Sequence, residues 1–592
     1  MTRFRCSVCN FIYDEDKKGK KFPSLPNSWT CPVCGAPKTA FVLESSKKGN
    51  EDIKTNVADK IIEQLVAFGV DRVFGIPGDS NLPLVNAIRK NDKIDFVLTR
   101  HEETAAFIAS AIGKITDKLG VCMSIAGPGA TNLITGLMDA ATDRSPVLAL
   151  IGQIPEVYLG SEAFQEIDQI TLFKPFAEYA ETVARSNQAL KLTMMAVKYA
   201  IKKPGVAVLS CPTDILADKL DDEIIKPEKR LFKSEVVPKG EDIRKAANLI
   251  NKCSKPVIFG GWGSRHAGKL LIELSEKLKA PIATTSRAKG VIHETHKYAV
   301  GVLGSIGTKY SAKAIKECDL IIIIGSGFRQ ANLVPPGVKF LQIDNDTTRI
   351  GKTFNVDVGL VGDGKLVLEK LLPLIEEKQE NNEYLSHVFK MKQEHIDFLK
   401  TEAEDLTVPI NPGYAIQALR RKLDKDAIIC VDVGDHTYHF YKKFICEGHK
   451  TYLNANMASM GFALPAAIAA KSSYPEKQVI CLASDGGFAM LMADFTTAVR
   501  EHYNIVCVIF HDCVLKNIKK ELIRDGYPIF GVNFPNPNFA EFARSAGGYG
   551  IRVESPGILD DALQSAFDAN KPAIVEIMTD PDKMAASTKK VD

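Results

Sequence analysis

The stretch LASDGGFAMLMADF, residues 482–495, joins a short apolar run to an amphipathic segment through one aspartate and two glycines. It predicts a buried strand that passes directly into a helix, with Asp485, Gly486 and Gly487 at the junction. In an open α/β sheet, phosphate groups bind where the carboxyl end of a strand faces a helix N-terminus. The stretch therefore predicts a parallel sheet with a phosphate site at one edge.

A second carboxylate follows the next predicted strand, IVCVIF at 505–510, which ends in His511 and Asp512. Because the carboxyl ends of neighbouring parallel strands meet at one edge of a sheet, we expect Asp485 and Asp512 to lie close together. Two such carboxylates can share a hard divalent cation, and we predict Mg²⁺ bridging a bound diphosphate. Taken alone, Asp512 is equally typical of a turn that follows a strand.

The domain organisation follows from an alternation of apolar runs and amphipathic stretches that starts near residue 55 and restarts twice after charged segments. Short β-branched runs between helical stretches are typical of parallel sheets with helices on both faces. The sequence predicts an α/β fold of three Rossmann-like domains after a small cysteine-rich domain. The predicted segments are 1–43 (cysteine-rich domain), 44–54 (polar linker), and 55–225, 236–378 and 411–580 (α/β domains).

Four of the 13 cysteines form two CxxC pairs near the start of the chain, Cys6/Cys9 and Cys31/Cys34. Four thiolates at this spacing can converge on one tetrahedral ion, and their softness favours iron or zinc. Aromatic side chains around them would close a core too small to be stable without its metal. These aromatic residues are Phe4, Phe11, Tyr13, Trp29 and Phe41.

Composition excludes several classes of protein. Of the 592 residues, 45% are apolar and 25% are charged, as in an ordinary globular protein. The net charge is only +3, and no stretch of the sequence resembles a basic nucleic-acid-binding patch with interleaved aromatic residues. The longest apolar run, LIIII at 320–324, is far shorter than the roughly 18 residues of a membrane span. We expect a cytoplasmic protein with no membrane or nucleic-acid partner, whose other cysteines are reduced.

The first cysteine segment resembles rubredoxin, the one-iron electron carrier, in CSVCNFIYD (6–14) and SWTCPVCGAPKTAF (28–41). The segment between the two pairs is shorter than in free-standing rubredoxins and resembles the abridged modules fused to other enzymes. The resemblance implies one iron held by Cys6, Cys9, Cys31 and Cys34. A structural zinc ribbon is the alternative, because ligand spacing alone does not choose the metal.

Residues 55–580 resemble the thiamine-diphosphate enzymes of the pyruvate oxidase and acetolactate synthase family. The similar motifs are LTRHEETAAFIASAIGK (98–114), IAGPGATNLITGLMDA (125–140), DVGDH (432–436), NMASMGFALPAA (456–467) and the stretch 482–495. The resemblance implies a pyrimidine-binding domain, a central FAD-type domain and a diphosphate-binding domain, in that order. It also implies a homodimer or homotetramer, in which the Glu102 domain of one chain faces the Asp485 domain of another.

The resemblance assigns roles to single residues. It implies that Glu102 hydrogen-bonds the pyrimidine ring of thiamine, that Met460 holds the coenzyme bent, and that Asp485, Asp512 and the Val514 carbonyl bind magnesium. Taken alone, Glu102 would more often cap a helix and Met460 would more often fill a core. The remaining implied residues are Phe164 and Gln165 at the reacting centre, and Gly78, Gly127, Val433, Gly434, Asp435, His436, Ala458, Ser459, Gly486 and Gly487 as coenzyme contacts.

The middle segment resembles the flavin-binding domain of the same enzymes in VGVLGSIGTKYSA (300–312), LIIIIGSGFRQANLVPP (320–336) and KFLQIDNDTTRIG (339–351). By this resemblance FAD would contact Gly304, Gly307, Gly325, Arg329 and Asp344. Glycine turns and an acidic strand end are also what any Rossmann-like domain needs for packing, so an empty domain is the alternative.

Lys516 and Asn517 depart from the family pattern, which has a small residue and an aromatic one at these positions. A cation over the coenzyme could favour a substrate with a second anionic group. Alternatively, Lys516 could lie in solvent, where lysines are most often found. The residues leave both possibilities open.

Two activities are compatible with the resemblance. GGFAMLMADF (486–495) and residues 542–567 are similar to pyruvate oxidases, whereas GPGATNLITG (127–136) and LGSEAFQEID (159–168) are equally similar to acetolactate synthases. The N-terminal module decides our prediction, because a one-electron iron site is useful if electrons leave a flavin singly. We predict oxidative decarboxylation of pyruvate or a related 2-oxoacid, with a soluble electron carrier as a possible partner. The alternatives are a carboligase or plain decarboxylase with a non-redox flavin, and a non-catalytic redox or sensing scaffold.

Overall fold

The computed structural model describes residues 3–6, 11–15, 20–33, 35–44, 55–232 and 235–585. These residues divide into two compact units, a small one within residues 1–56 and 219–221 and a large one that contains the rest. The predicted α/β fold is confirmed, because the large unit holds three sheets of six parallel strands. None of the helices described has both the length and the apolar character needed to cross a membrane.

The small unit contains an antiparallel sheet of order β2-β1-β3 around an aromatic core. Cys6 and Cys31 are buried in this core, and the Trp29 ring packs 5.5 Å from Phe22 and 5.2 Å from Phe41. Of the four predicted ligands, Cys9 and Cys34 lie outside the described residues. The strands are β1 (Arg3–Cys6), β2 (Ile12–Asp14) and β3 (Phe41–Glu44).

The first α/β domain has the strand order β5-β4-β6-β7-β9-β8. Its strands are β4 (Arg72–Gly75), β5 (Asp95–Leu98), β6 (Gly120–Ser124), β7 (Val147–Gln153), β8 (Tyr179–Thr182) and β9 (Val206–Pro212). Its helices are α1 (Val57–Ala67), α2 (Leu82–Lys90), α3 (Glu102–Thr116), α4 (Pro128–Asn132), α5 (Ile134–Asp143), α6 (Gln169–Phe173), α7 (Ala189–Lys202) and α8 (Thr213–Ala217).

The central domain has the order β12-β11-β10-β13-β14-β15, which is that of a dinucleotide-binding sheet. Its strands are β10 (Pro256–Gly260), β11 (Ile282–Thr284), β12 (Ala299–Val302), β13 (Leu320–Ile324), β14 (Lys339–Asp344) and β15 (Val358–Val361). Its helices are α9 (Gly240–Lys252), α10 (Gly268–Leu278), α11 (Lys309–Lys316) and α12 (Gly364–Leu371), and α13 (Asn382–Ala403) leads to the next domain.

The third domain has the order β17-β16-β18-β19-β21-β20. Its strands are β16 (Ile428–Val431), β17 (Lys450–Leu453), β18 (Val479–Ser484), β19 (Val506–His511), β20 (Tyr549–Val553) and β21 (Ala573–Met578). Its helices are α14 (Pro412–Lys422), α15 (Asp435–Lys443), α16 (Ala463–Ser473), α17 (Asp485–Leu491), α18 (Phe495–Arg500), α19 (Lys516–Asp525), α20 (Phe539–Ser545) and α21 (Leu559–Asp568).

The first and third sheets share one strand order. When the strands of each domain are numbered along the chain, they lie side by side in the order 2-1-3-4-6-5 in both sheets. The turn after the first strand is also alike in both. In one, Gly78 N–H donates to Asn81 Oδ1 at 2.9 Å, and in the other Gly434 N–H donates to Thr437 Oγ1 at 3.1 Å. Each sheet therefore has a crevice at the carboxyl ends of its first and third strands, where the chain order reverses.

The first and third domains also pack directly on each other through α3 and α16. The Phe107 ring lies 5.8 Å from the Phe462 ring, edge to face, within one continuous apolar core. Beside it the buried Lys114 ammonium contacts Asp139 at 2.6 Å and Asp143 at 2.8 Å, so its charge is paired. A buried ion is tolerated only when it is paired in this way.

Candidate functional site

The predicted diphosphate site is a cavity of about 190 Å³ at the carboxyl ends of β16, β18 and β19. It lies at the crevice where an open parallel sheet binds its ligand. Among the described residues, its lining belongs to the third domain alone. The lining residues are Pro412, Val433, Gly434, Asp435, His436, His439, Ala458, Met460, Ser484, Asp485, Phe510, Asp512, Val514, Leu515, Lys516, Asn517 and Ile518.

Asp485 is fixed at the first residue of α17, where it is 1% exposed. Its Oδ2 accepts hydrogen bonds from the backbone N–H of Asp512 at 3.1 Å, from that of Cys513 at 2.6 Å, and from Asn536 Nδ2 at 3.0 Å. The structure thus brings the two predicted metal ligands together across neighbouring strands, as expected. Carboxylates held by backbone donors keep a fixed orientation, which suits a hard divalent cation.

Asp512 is paired with Lys516, for which the sequence left open whether the side chain is buried or in solvent. The buried Lys516 ammonium lies 2.8 Å from Asp512 Oδ2 and donates to the Asp580 carbonyl at 2.7 Å. The alternative in which Lys516 lies in solvent is therefore wrong. Burial raises the pKa of Asp512 to about 6, with nearby Lys516 opposing that rise. The Val514 carbonyl, the third predicted ligand, accepts Lys516 N–H at 2.8 Å and retains a second lone pair.

The opposite wall is the N-terminus of α15, where backbone N–H groups suit a phosphate. A Cβ at Gly434 would lie 2.8 Å from His436 Nδ1, so only glycine fits there. Among the residues described, both ring nitrogens of the buried His436 lack a hydrogen-bond partner. Burial lowers the pKa of His436 to about 3, so its ring is neutral and can donate one N–H to an anion. Orphaned polar atoms facing a glycine turn fit a diphosphate.

The segment 458–461 forms the next side of the cavity. Ala458 has φ of 54°, a left-handed conformation that L-residues other than Asn and Asp rarely adopt, and its N–H donates to Asn454 Oδ1 at 2.9 Å. A Cβ at Gly486 would lie 3.5 Å from Met460 Cε, so Met460 and the first glycine of α17 face one another. This arrangement is compatible with Met460 supporting a bent coenzyme, which stays a prediction.

The predicted residues of the first domain form a separate cluster. Glu102 begins α3, is 7% exposed, and its Oε2 accepts Asn132 Nδ2–H at 3.0 Å. Gly127 has φ of +58°, and a Cβ there would lie 3.0 Å from Gln165 Cβ, which places Gln165 beside the glycine turn. Neither Glu102 nor Gly127 lines the 190 Å³ cavity.

Two further residues of that domain have contrasting environments. A Cβ at Gly78 would lie 2.6 Å from Ile125 Cγ2, so the chain packs closely at this turn, and the coenzyme contact at Gly78 stays a prediction. The Phe164 side chain is 85% exposed, whereas phenylalanine is among the residues most often buried. Its role at a reacting centre stays a prediction.

A cavity of about 290 Å³ lies at the crevice between β10 and β13 of the central domain, and residues of the first domain, among them Lys114 and Asp143, form its other side. Of the residues predicted to contact FAD, Gly325 and Asp344 line it, Gly304 and Arg329 do not, and Gly307 lines a different cavity near α13. The FAD contacts themselves stay predictions. A Cβ at Gly325 would lie 2.4 Å from Gly263 Cα, so the strand ends are closely packed. Burial raises the pKa of Asp344. An acidic strand end beside glycines suits the ribose of a dinucleotide.

Several candidate residues were missed at the sequence level. Arg287 and Arg349 line the central cavity, and Arg287 lies 4.9 Å from the Trp262 ring, so cations and an aromatic plane surround the crevice. In the third domain His439 lies 3.2 Å from Asp435 and lines the cavity of the predicted diphosphate site. The spacing of His439 from His436 on one helix was a usable signal, since residues three apart share a helix face.

The two buried histidines of α15 predict a particular loss of stability in acid. Burial lowers the pKa values of His436 and His439 to about 3 and about 4. Below about pH 6.5 the two histidines of the unfolded chain bind protons, whereas those of the folded chain stay neutral. Each histidine therefore lowers the free energy of unfolding by roughly 1.4 kcal/mol per pH unit as the pH falls toward 4. Urea unfolding of the cofactor-free protein from pH 7 to pH 4.5 measures this. The double variant His436→Asn/His439→Gln should lose less stability than the native protein.

The control for this prediction is His387→Gln, since the His387 side chain is 60% exposed. It should show the native pH dependence. An equal acid loss in the double variant and the native protein would contradict the prediction.

Comparison with known proteins agrees with this geometry. Family models match at residues 3–41 (Rubredoxin), 55–172 (Thiamine pyrophosphate enzyme, N-terminal TPP binding domain), 243–371 (central domain) and 432–577 (C-terminal TPP binding domain).

Among curated proteins, YdaP of Bacillus subtilis, named as thiamine pyrophosphate-containing, is 36% identical over 87% of this chain and 90% of its own length. Pyruvate oxidase of Lactiplantibacillus plantarum is 29% identical over 89% of both chains. The acetolactate synthase large subunit of Corynebacterium glutamicum is 30% identical over 89% of this chain and 87% of its own. The chain therefore belongs to the thiamine pyrophosphate enzymes, in the group that contains pyruvate oxidase and acetolactate synthase, and carries a rubredoxin domain at its N-terminus.

Proposed function

We propose that the protein catalyses oxidative decarboxylation of pyruvate or a related 2-oxoacid, using thiamine diphosphate, Mg²⁺ and FAD, and that electrons leave through the rubredoxin iron. The observation that carries the proposal is the fusion of a rubredoxin domain to this enzyme. A one-iron centre accepts one electron at a time, whereas decarboxylation of a 2-oxoacid to the acid level releases two. A flavin can divide that pair, and the central crevice has the glycines, arginines and acidic strand end suited to FAD.

The residues of the third domain would hold the coenzyme by its charged end. Asp485, Asp512 and the Val514 carbonyl would bind magnesium, and the N-terminus of α15 with His436 would bind the diphosphate. Lys516 adds a positive charge within reach of Asp512. It would lower the cost of bringing an anionic ligand into this cavity. When bound, thiamine supplies the electron sink for loss of CO₂, and the protein supplies position and proton transfer.

A second copy of the chain would complete the site. Glu102 lies in the first domain, and the described residues that line the diphosphate cavity all belong to the third. A coenzyme that contacts both clusters needs them to face each other, so the smallest active unit would be a homodimer. Glu102 would then face the pyrimidine ring, held by Asn132. Phe164, whose ring is exposed in the single chain, would be covered near the reacting centre.

An anaerobic titration with pyruvate tests the proposed electron path. The flavin absorbance should bleach first, and the ferric rubredoxin colour should then fade. In a Cys6→Ser variant, which removes one buried ligand of the small unit, the iron colour should be absent while flavin bleaching persists. Unchanged spectra on adding pyruvate would refute the oxidative function.

Acetolactate formation is the second candidate, because relatives with that name match over most of this chain. It predicts product from pyruvate without bleaching of flavin or iron. Assaying acetolactate after the same titration separates the two activities.

A further inference from the structure

A thiol, an imidazole and a carboxylate converge behind the turn that follows β19. Ligand atoms of Asp485, His511 and Cys513 all lie within 4.8 Å of one another. His511 Nε2 lies 3.1 Å from Cys513 Sγ, and Cys513 N–H donates to Asp485 Oδ2 at 2.6 Å. A carboxylate oxygen, an imidazole nitrogen and a thiol sulfur this close together are a donor set typical of zinc and related ions.

The imidazole of His511 is oriented by a buried carboxylate on its far side. His511 Nδ1 lies 2.6 Å from Glu576 Oε1 on β21. Glu576 is itself held by Ala540 N–H at 3.0 Å and by Arg552 Nη1 at 3.2 Å. Glu576 accepts a hydrogen bond from His511 Nδ1–H, so the proton stays on Nδ1 and the Nε2 lone pair faces the cluster. Metal-binding histidines almost always have this outer partner, and it is independent of the ligand distances themselves.

We propose that Asp485, His511 and Cys513 form a binding site for one thiophilic divalent ion of the Zn²⁺ class. Around such an ion the donors stand about 2.0 Å (nitrogen and oxygen) and 2.3 Å (sulfur) from the metal. The 3.1 Å separation of nitrogen and sulfur needs to open only slightly to admit it. Asn536 Nδ2 donates to Asp485 Oδ2 at 3.0 Å and to the Cys513 sulfur at 3.8 Å, so it orients both of these groups. Cys513 is partly exposed, which provides an entry path.

The site is coupled to the magnesium site because both use Asp485, and this coupling rests on the proposed function. In the absence of a metal, Asp485 Oδ2 accepts from Asp512 N–H and Cys513 N–H, and so shapes the turn that carries Asp512. A thiophilic ion that takes this oxygen competes with those donors. Its binding therefore weakens magnesium and diphosphate binding, and the enzyme is inhibited by Zn²⁺.

Cobalt binding to the full-length protein with its N-terminal iron in place tests the site, because Co²⁺ bound to a thiolate absorbs in the near ultraviolet. We expect one equivalent of Co²⁺ beyond the iron. The absorption should be absent in Cys513→Ser, which keeps the side-chain volume, and uptake should be at least about tenfold weaker in His511→Asn. Cys253→Ser is the matched control, since Cys253 is also partly exposed but outside the cluster, and it should bind Co²⁺ normally.

Equal Co²⁺ uptake and absorption in Cys513→Ser and the native protein would overturn the proposal, as would a native protein that takes up no Co²⁺ at 0.1 mM, roughly ten times the protein concentration. These measurements use no thiamine diphosphate or substrate, so they stand or fall separately from the proposed function. The coupling is measured as the Mg²⁺ concentration needed for thiamine diphosphate binding. Zn²⁺ should raise it about tenfold or more in the native protein and leave it unchanged in Cys513→Ser. An equal Zn²⁺ effect in both proteins would disprove the coupling.

Discussion

Replacement of Asp485 by asparagine is expected to weaken magnesium-dependent binding of thiamine diphosphate by more than about 100-fold and to abolish turnover, because even partners of metal ligands change affinity 10- to 100-fold. Asparagine keeps an oxygen that can accept the N–H groups of Asp512 and Cys513, so the turn after β19 should survive. What is lost is the negative charge facing the cation. Calorimetric titration of the apoprotein with coenzyme at fixed Mg²⁺ measures the effect.

A matched control separates this loss from general destabilisation. Asp494 is as buried as Asp485 and also accepts a backbone N–H, that of Arg100 at 2.8 Å, but it does not line the cavity. Asp494→Asn should therefore bind the coenzyme normally even if its melting temperature falls. Tight binding by Asp485→Asn would rule out the magnesium site at these strand ends.

Replacement of Glu102 by glutamine is expected to lower turnover by about 10²- to 10⁴-fold, which is the usual contribution of a side chain that moves a proton. Glutamine has the shape of glutamate and can still accept the Asn132 hydrogen bond, so the start of α3 should be preserved. Affinity for thiamine diphosphate should change much less, because the proposed diphosphate site lies in the third domain. Turnover with pyruvate and coenzyme titration together measure this split.

The neighbouring Glu103 provides the control for position and charge. It follows Glu102 on the same helix turn, and Glu103→Gln should retain most of the activity because the Asn132 hydrogen bond goes to Glu102. Turnover in Glu102→Gln above about a tenth of the native rate would exclude a proton-transfer role for Glu102.

The sequence predicted those parts of the site that depend on where a buried strand ends and on which strand follows it along the chain. The proximity of Asp485 and Asp512 followed from two apolar runs whose carboxyl ends meet, and the structure has Asp512 N–H bonded to Asp485. The burial of Lys516 could not be predicted in this way. It depends on the Asp580 carbonyl, which comes from the end of β21, and on pairing with Asp512.

The cluster around His511 shows the same limit. Its residue types were visible, but Glu576 reaches His511 only because β21 pairs with β19, so that β20 lies at the sheet edge. Strand order within a sheet depends on how strands and helices pack, and the hydrophobic pattern of the sequence does not specify it. The central cavity is similar, since Arg287 joins it from the segment after β11 while Arg329, adjacent to the predicted glycines, does not.

The matching strand order of the first and third sheets, with a glycine turn after the first strand of each, gives the chain two similar scaffolds. On one scaffold Asp485 and Asp512 lie at neighbouring strand ends, and on the other Glu102 begins a helix and accepts the Asn132 hydrogen bond. One architecture thus carries two unlike sets of side chains, because strand ends and loops can change while the sheet beneath them is kept.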